Sequence, residues 1–167
     1  FTDTQGSNRS RSGSFIRASR SNLHLELMSV ANVSSKGNGS FLNVPASDSD
    51  TPARSDSTSI TIKASNITNC TSNEGGAIYY SGKGRDKYAD SLRIESSNLI
   101  GNFASKSGAL SIETAGATIE MTKVTVSGNT ALLENSFGRI SNPGKTMALL
   151  TDLEVTKNKV LHGSSTI

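Results

Sequence analysis

Gly76-Ala77-Ile78 returns as Gly108-Ala109-Leu110, and the same phrase stands at Gly13-Ser14-Phe15, Gly39-Ser40-Phe41, Asn135-Ser136-Phe137 and, degraded, at Gly163-Ser164-Ser165. A turn-permissive residue, a small residue and a large apolar one thus recur at intervals of 26, 37, 32, 27 and 28 residues. Self-similarity on that scale marks a repeat architecture, in which one supersecondary unit stacks on copies of itself.

Five stretches of 20 residues, 22–41, 59–78, 91–110, 118–137 and 147–166, align without a gap; the first four close on the phrase, and in the fifth its degraded copy ends one residue earlier. Each opens on alternating apolar residues: Leu23/Leu25, Ile60/Ile62, Leu92/Ile94, Ile119/Met121 and Ala148/Leu150. Period-two alternation buries one face of a strand and wets the other. A second apolar column follows at Val30, Ile67, Leu99, Val126 and Val155. Three short apolar beats in about 27 residues, divided by Ser, Asn and Gly, lack the three-to-four spacing of a helix. They predict three short strands per turn. A single repeat cannot cover its own apolar residues, but stacked copies bury them in one continuous core. The expected fold is all-β, a single parallel β-helix of about five to six turns.

One column supports this without appeal to hydrophobicity. Val33, Cys70, Asn102, Asn129 and Asn158 fall on one site, so three consecutive turns present Asn at the same corner. Asn tolerates left-handed backbone, and its amide donates and accepts along a stack, which predicts a structural ladder of Asn102, Asn129 and Asn158. Two positions on, Ser35, Ser72, Ala104, Ala131 and Val160 are small enough for a tight corner.

Asn73-Glu74-Gly75-Gly76-Ala77-Ile78, Gly101-Asn102-Phe103-Ala104 and Ser107-Gly108-Ala109-Leu110 resemble the Gly-Gly-Ala-Ile and Asn-x-Ala phrases of polymorphic outer-membrane proteins and related secreted surface proteins. The resemblance implies a right-handed β-helix in a surface-exposed, adhesive or structural setting. It spans residues 22–166 as a pattern, with the full Gly-Gly-Ala-Ile present once and the companion Phe-x-x-Asn phrase absent.

Composition agrees with a thin, elongated core: 34% of the 167 residues are hydrophobic, 5% are aromatic and Trp is absent. Residues 1–21 form a basic Ser/Arg-rich segment with a partial turn; 22–167 form the β-helix, with loop insertions at 42–58, 79–90, 111–117 and 138–146. The net charge of +3 resides in the first segment, where Arg9, Arg11, Arg17 and Arg20 face only Asp3. No basic stripe interleaved with aromatics runs along the body, so nucleic acid is not an expected partner. Nor is there an apolar run long enough for a membrane span. The chain is expected to begin and end partway round the solenoid, with self-association or continuation of the solenoid by neighbouring chains at its ends.

Catalytic, cofactor and metal sites are not expected. His24 and His162 lie in distant turns, and the lone Cys70 fills a corner of the Asn column. Glu95 and Glu120 lie on adjacent first strands, but Arg93 shares the Glu120 column, which predicts a salt bridge in place of an acid pair. Asp152 and Glu154 fall on a different segment. Candidate N-glycosylation sequons begin at Asn8, Asn32, Asn38, Asn66 and Asn69. The insertions share one edge, and Lys83, Arg85, Asp86, Lys87 and Tyr88 make up the candidate partner-binding loop, for a glycan or a cell-surface receptor. The function expected is a non-enzymatic extracellular or cell-surface structural or adhesive β-helix, a self-stacking subunit of a fibre or filament. The alternative is a fragment of a carbohydrate-active β-helix enzyme or a phage tailspike-like protein.

Overall fold

The computed structural model describes residues 14–18, 21–45, 57–81, 90–114, 116–141 and 147–162. The chain enters on β1 (Ile16–Arg17) and makes a first turn through β2 (Asn22–Glu26), β3 (Ser29–Ala31) and β4 (Leu42–Val44). The second turn comprises β5 (Ser59–Lys63), β6 (Asn66–Thr68), β7 (Thr71–Glu74) and β8 (Ile78–Tyr80). The third holds β9 (Ser91–Glu95), β10 (Asn98–Ile100), β11 (Phe103–Lys106) and β12 (Leu110–Glu113). The fourth holds β13 (Thr118–Thr122), β14 (Thr125–Ser127), β15 (Thr130–Glu134) and β16 (Gly138–Ser141), and a last partial turn holds β17 (Met147–Thr151), β18 (Glu154–Thr156) and β19 (Lys159–Val160).

Equivalent strands of successive turns pair in parallel, in the orders β2-β5-β9-β13-β17, β3-β6-β10-β14-β18, β7-β11-β15-β19 and β1-β4-β8-β12-β16. The result is a parallel β-solenoid with four sheets and no helix among the described residues. The all-β parallel solenoid forms as expected, with three strands in the first turn and a fourth added in the next three. The turn count differs slightly: there are about four full turns flanked by partial ones where five to six were read. The fourth strand occupies 42–44, 78–80, 110–113 and 138–141, largely inside stretches read as insertions. Three or four alternating residues next to a variable loop make too short a period to separate from the loop itself.

Side-chain alternation places Ile60, Leu92 and Ile119, then Ile62, Ile94 and Met121, then Ile67, Leu99 and Val126, in fully buried columns. Each buried aliphatic side chain contributes about 1.5–3 kcal/mol relative to exposure, and the columns continue because the registers Ile67↔Leu99 and Leu99↔Val126 hold across turns. Outward positions carry polar pairs between turns, such as Ser59 Oγ to Ser91 Oγ at 2.9 Å and Asn98 Nδ2 donating to Asn66 Oδ1 at 2.6 Å.

Three corners of each turn use left-handed backbone. The first is Leu27, Ala64, Ser96, Lys123 and Asp152, with φ between 49° and 55°. The second is Asn32, Asn69, Gly101, Gly128 and Lys157, and the third is Gly39, Gly75, Ser107 and Asn135. Non-glycine residues meet a cost of about 1–2 kcal/mol there. Stacking offsets it, since corner amides continue the ladder: Leu27 N–H donates to Lys63 O, Ala64 to Glu95 O, Ser96 to Thr122 O and Lys123 to Thr151 O.

The third corner corrects the reading of the phrase. Gly39 and Asn135 do stand at the bend, but in the second and third turns the bend is Gly75 and Ser107, one residue before Gly76 and Gly108. The gapless alignment breaks twice. One residue is extra in the first turn, between the bridges Ser34↔Thr71 and Asn38↔Glu74, and one in the fourth, where a bulge separates Ala104↔Ala131 from Lys106↔Glu134. Gly76 and Gly108 are therefore required for close approach: a Cβ on Gly76 would overlap the Gly108 carbonyl oxygen. Gly13 lies outside the described residues.

Candidate functional site

The Asn column forms a buried chain of hydrogen bonds. Cys70 N–H donates to Asn102 Oδ1 at 3.0 Å. Asn102 donates its backbone N–H and its Nδ2 to Asn129 Oδ1, and Asn129 donates the same two groups to Asn158 Oδ1. Each Nδ2 also reaches back to a carbonyl oxygen, of Ile67, Leu99 and Val126 in turn. An amide is the side chain that can do all of this, because it accepts two hydrogen bonds and donates two. Every one of those bonds is spent within the chain, so the column holds the corner together and offers nothing to a ligand.

The other residues singled out from the sequence are scattered. Among the sequon residues, Asn32, Asn66 and Asn69 are exposed and Asn38 is half-buried. Asn32 and Asn69 are both left-handed at the second corner of neighbouring turns, while Asn66 is bonded to Asn98. Asn8 and the loop residues Lys83, Arg85, Asp86, Lys87 and Tyr88 lie outside the described residues. Arg93 sits between Glu95 and Glu120, 3.6 Å from each carboxylate, so these acids are joined by a cation. His24 lies 3.4 Å from Glu26, and His162 is exposed far from it. Cys70 is a buried free thiol directed at Thr68 O. Among the described residues no group of three or more His, Cys, Asp or Glu could hold a metal ion, and no helix is long and apolar enough to cross a membrane.

Two features escaped the sequence reading. The first is a row on the outer side of the fourth sheet, where Arg17, Asn43, Tyr79, Ser111 and Arg139 stand in register, Asn43 and Ser111 being buried there. The Tyr79 hydroxyl donates to Glu113 Oε2 at 3.0 Å, and Ser111 Oγ donates to Glu74 Oε1 at 2.9 Å. Burial, followed by the adjoining Glu113 carboxylate, raises the Tyr79 phenol to about 12. Tyr80, on the inner side, is pushed up further, mainly by burial and then by Asp90. The spacing Glu74, Tyr79, Ser111, Glu113 carries no period that would disclose the row without the register of the fourth sheet.

The second is the last turn. Its inward residues Leu150 and Val155 are each 44% exposed, whereas Leu25 and Val30, in the same columns of the first turn, are 8% and 6% exposed. Its outward residues are unusual as well. In the first sheet the central outward position is His24, Thr61, Arg93 and Glu120, and then Leu149. Met147, Leu149, Leu161 and Leu133 are all exposed. A strand apolar on both sides reads as one covered on both sides, and among the described residues β17 is an edge strand of its sheet.

Fold and surfaces together define the class as a parallel β-solenoid. No family model, no curated protein and no solved structure matches the chain.

Proposed function

We propose that this chain is a non-enzymatic structural or adhesive β-solenoid of the cell exterior, with an association surface on the outer side of β17. The observation that carries the reading is the outer side of β17, where exposed Met147 and Leu149 continue columns that are polar in the four turns before it. An exposed apolar patch on an otherwise polar face marks an interaction site. The polar outer ladders, whose hydroxyls and amides bond to one another, support a scaffold. An extracellular setting is supported by the sequons and by the resemblance to Gly-Gly-Ala-Ile surface proteins.

A second reading, a fragment of a carbohydrate-active β-helix, draws on Glu74 and Glu113 flanking the Tyr79–Ser111 row. Sedimentation velocity across a concentration series, electron microscopy and a polysaccharide depolymerisation assay separate the two. Assembly abolished by Leu149→Lys supports the first reading. A monomer that depolymerises polysaccharide, and loses that activity in Glu113→Gln, overturns it.

A further inference from the structure

We infer that Asn66 is an N-glycosylation site of the folded chain, and that its sugar lies on the uncharged outer side of the second sheet. This rests on the reading of the chain as a protein of the cell exterior. It adds the modified atom and the face that the modification covers.

Stacking gathers sequons that lie far apart in the sequence. Asn66 opens β6 on its outer side, and Asn32 and Asn69 stand at the second corner, which bounds the same sheet in the first two turns. All three are exposed. The fourth described sequon residue, Asn38, is half-buried beside the third corner, and the hydroxyl of its Ser40 is buried and bonded to Gly76 O.

Of the exposed three, Asn66 has its amide already set for the reaction. Its Oδ1 accepts from Asn98 Nδ2 at 2.6 Å, while its own Nδ2 has no hydrogen-bond partner among the described residues. The Nδ2–C1 bond to the sugar forms as the C1–O bond to a lipid-linked diphosphate donor breaks. Nδ2 gives up one proton and the diphosphate leaves with the electron pair, so Oδ1 keeps its bond from Asn98. Thr68, the third residue of the sequon, stands two positions on along the same strand and therefore on the same outer side. The corner is tighter. Asn69 lays its Oδ1 over Gly101, 2.6 Å from where a Cβ would stand, and Asn32 occupies the same column one turn before. Strands about 4.8 Å apart leave room there for one sugar chain and not for two.

The surface round Asn66 suits such a group. Its outer neighbours are Ser29 and Asn98 across the strands, Thr68 along its own, and Ala31 and Ile100 on the diagonals. None is charged, whereas the first sheet in the same turns carries His24, Glu26, Lys63, Arg93 and Glu95 outward. The inner sugars of an N-linked chain present hydroxyls and C–H faces without charge, so they meet hydroxyls, an amide and methyl groups and displace no ion pair. A bulky, solubilising group here closes the second sheet to association and leaves the outer side of β17, on the first sheet, open.

The test secretes the full chain from a eukaryotic cell, verifies its β-structure by circular dichroism, and maps its peptides after enzymatic release of the sugars in heavy-oxygen water, which marks each used Asn. Asn66 should be modified and Asn38 not, with at most one sugar chain shared between Asn32 and Asn69. Thr68→Ala should lose the mass of one sugar chain, and Thr68→Ser should retain it. An unmodified Asn66 in the secreted, folded chain, or a sugar on Asn38 in its place, overturns the site. Because entry into the secretory route is imposed, that result leaves the exterior reading standing. A chain that resists added protease in its own cells until they are lysed removes the exterior reading and the site with it.

Discussion

Asn129 Oδ1 accepts two hydrogen bonds from Asn102, one from its backbone N–H at 2.8 Å and one from its Nδ2 at 3.0 Å. Both residues are fully buried. The ladder therefore satisfies a backbone donor that the second corner has turned out of the sheets, and each link depends on the amide of the turn after it. Asn129→Ala would strand the Asn102 N–H and the Leu99 carbonyl in the interior. A buried unsatisfied group costs about 1–3 kcal/mol, so the expected loss is about 3 kcal/mol, against about 1 kcal/mol for Asn158→Ala at the half-buried end of the ladder. Urea unfolding of the two variants measures the ratio, and equal losses would count against a ladder anchored inside the core.

Gly76→Ala should be more damaging than its size implies. The added methyl would overlap the Gly108 carbonyl and press on the Phe103 backbone, so the third corner and the start of β11 in the next turn would have to move. Neither is the end of a flexible side chain. We expect destabilisation of about 3 kcal/mol or more, in line with overpacked cores, and reduced soluble yield. Wild-type-like thermal unfolding would show that the turns can separate locally.

Ser107→Gly should stabilise. Ser107 is fully buried at a φ of 56°, and its hydroxyl has no hydrogen-bond partner. Glycine already fills that column at Gly39 and Gly75. Removing left-handed strain of about 1 kcal/mol and an unpaired hydroxyl outweighs the 0.5–1 kcal/mol of added chain entropy. The expected net gain is about 1 kcal/mol, read as a higher urea midpoint at unchanged slope; a lower midpoint would count against this balance.

What the sequence disclosed follows from what the fold repeats. The columns Ile60–Leu92–Ile119 and Ile67–Leu99–Val126 are legible because burial on one side demands the same residue class in every turn. The Asn column is legible because an amide is needed at each of three successive levels. The third corner misled because its requirement is a positive φ, which Gly, Ser and Asn all meet, while extra residues near Gly37 and Leu132 shift the register without changing composition. The row of Asn43, Tyr79 and Ser111 was hidden for a related reason, since its members share a place and a polar role but no residue type. The outward place of Leu149 became visible only when the register of the first sheet set it in line with Glu120.

Alkaline pH should weaken the fold partly through Tyr79. Its phenol ionises near 10 when unfolded and at about 12 when folded, raised by burial and by the Glu113 carboxylate that its hydroxyl donates to. Between those values the folded chain holds a proton that the unfolded chain has released. Stability from this group is therefore complete below about pH 10 and is lost progressively as the pH climbs toward 12. Tyr80 shifts in the same direction, so Tyr79→Phe should reduce the alkaline loss without abolishing it. Urea midpoints at pH 9 and pH 11 for the two proteins isolate the contribution as a difference, since the other titrating groups are common to both. A midpoint that falls equally in the variant would mean that the Tyr79 phenol ionises as freely in the folded chain as in the unfolded one.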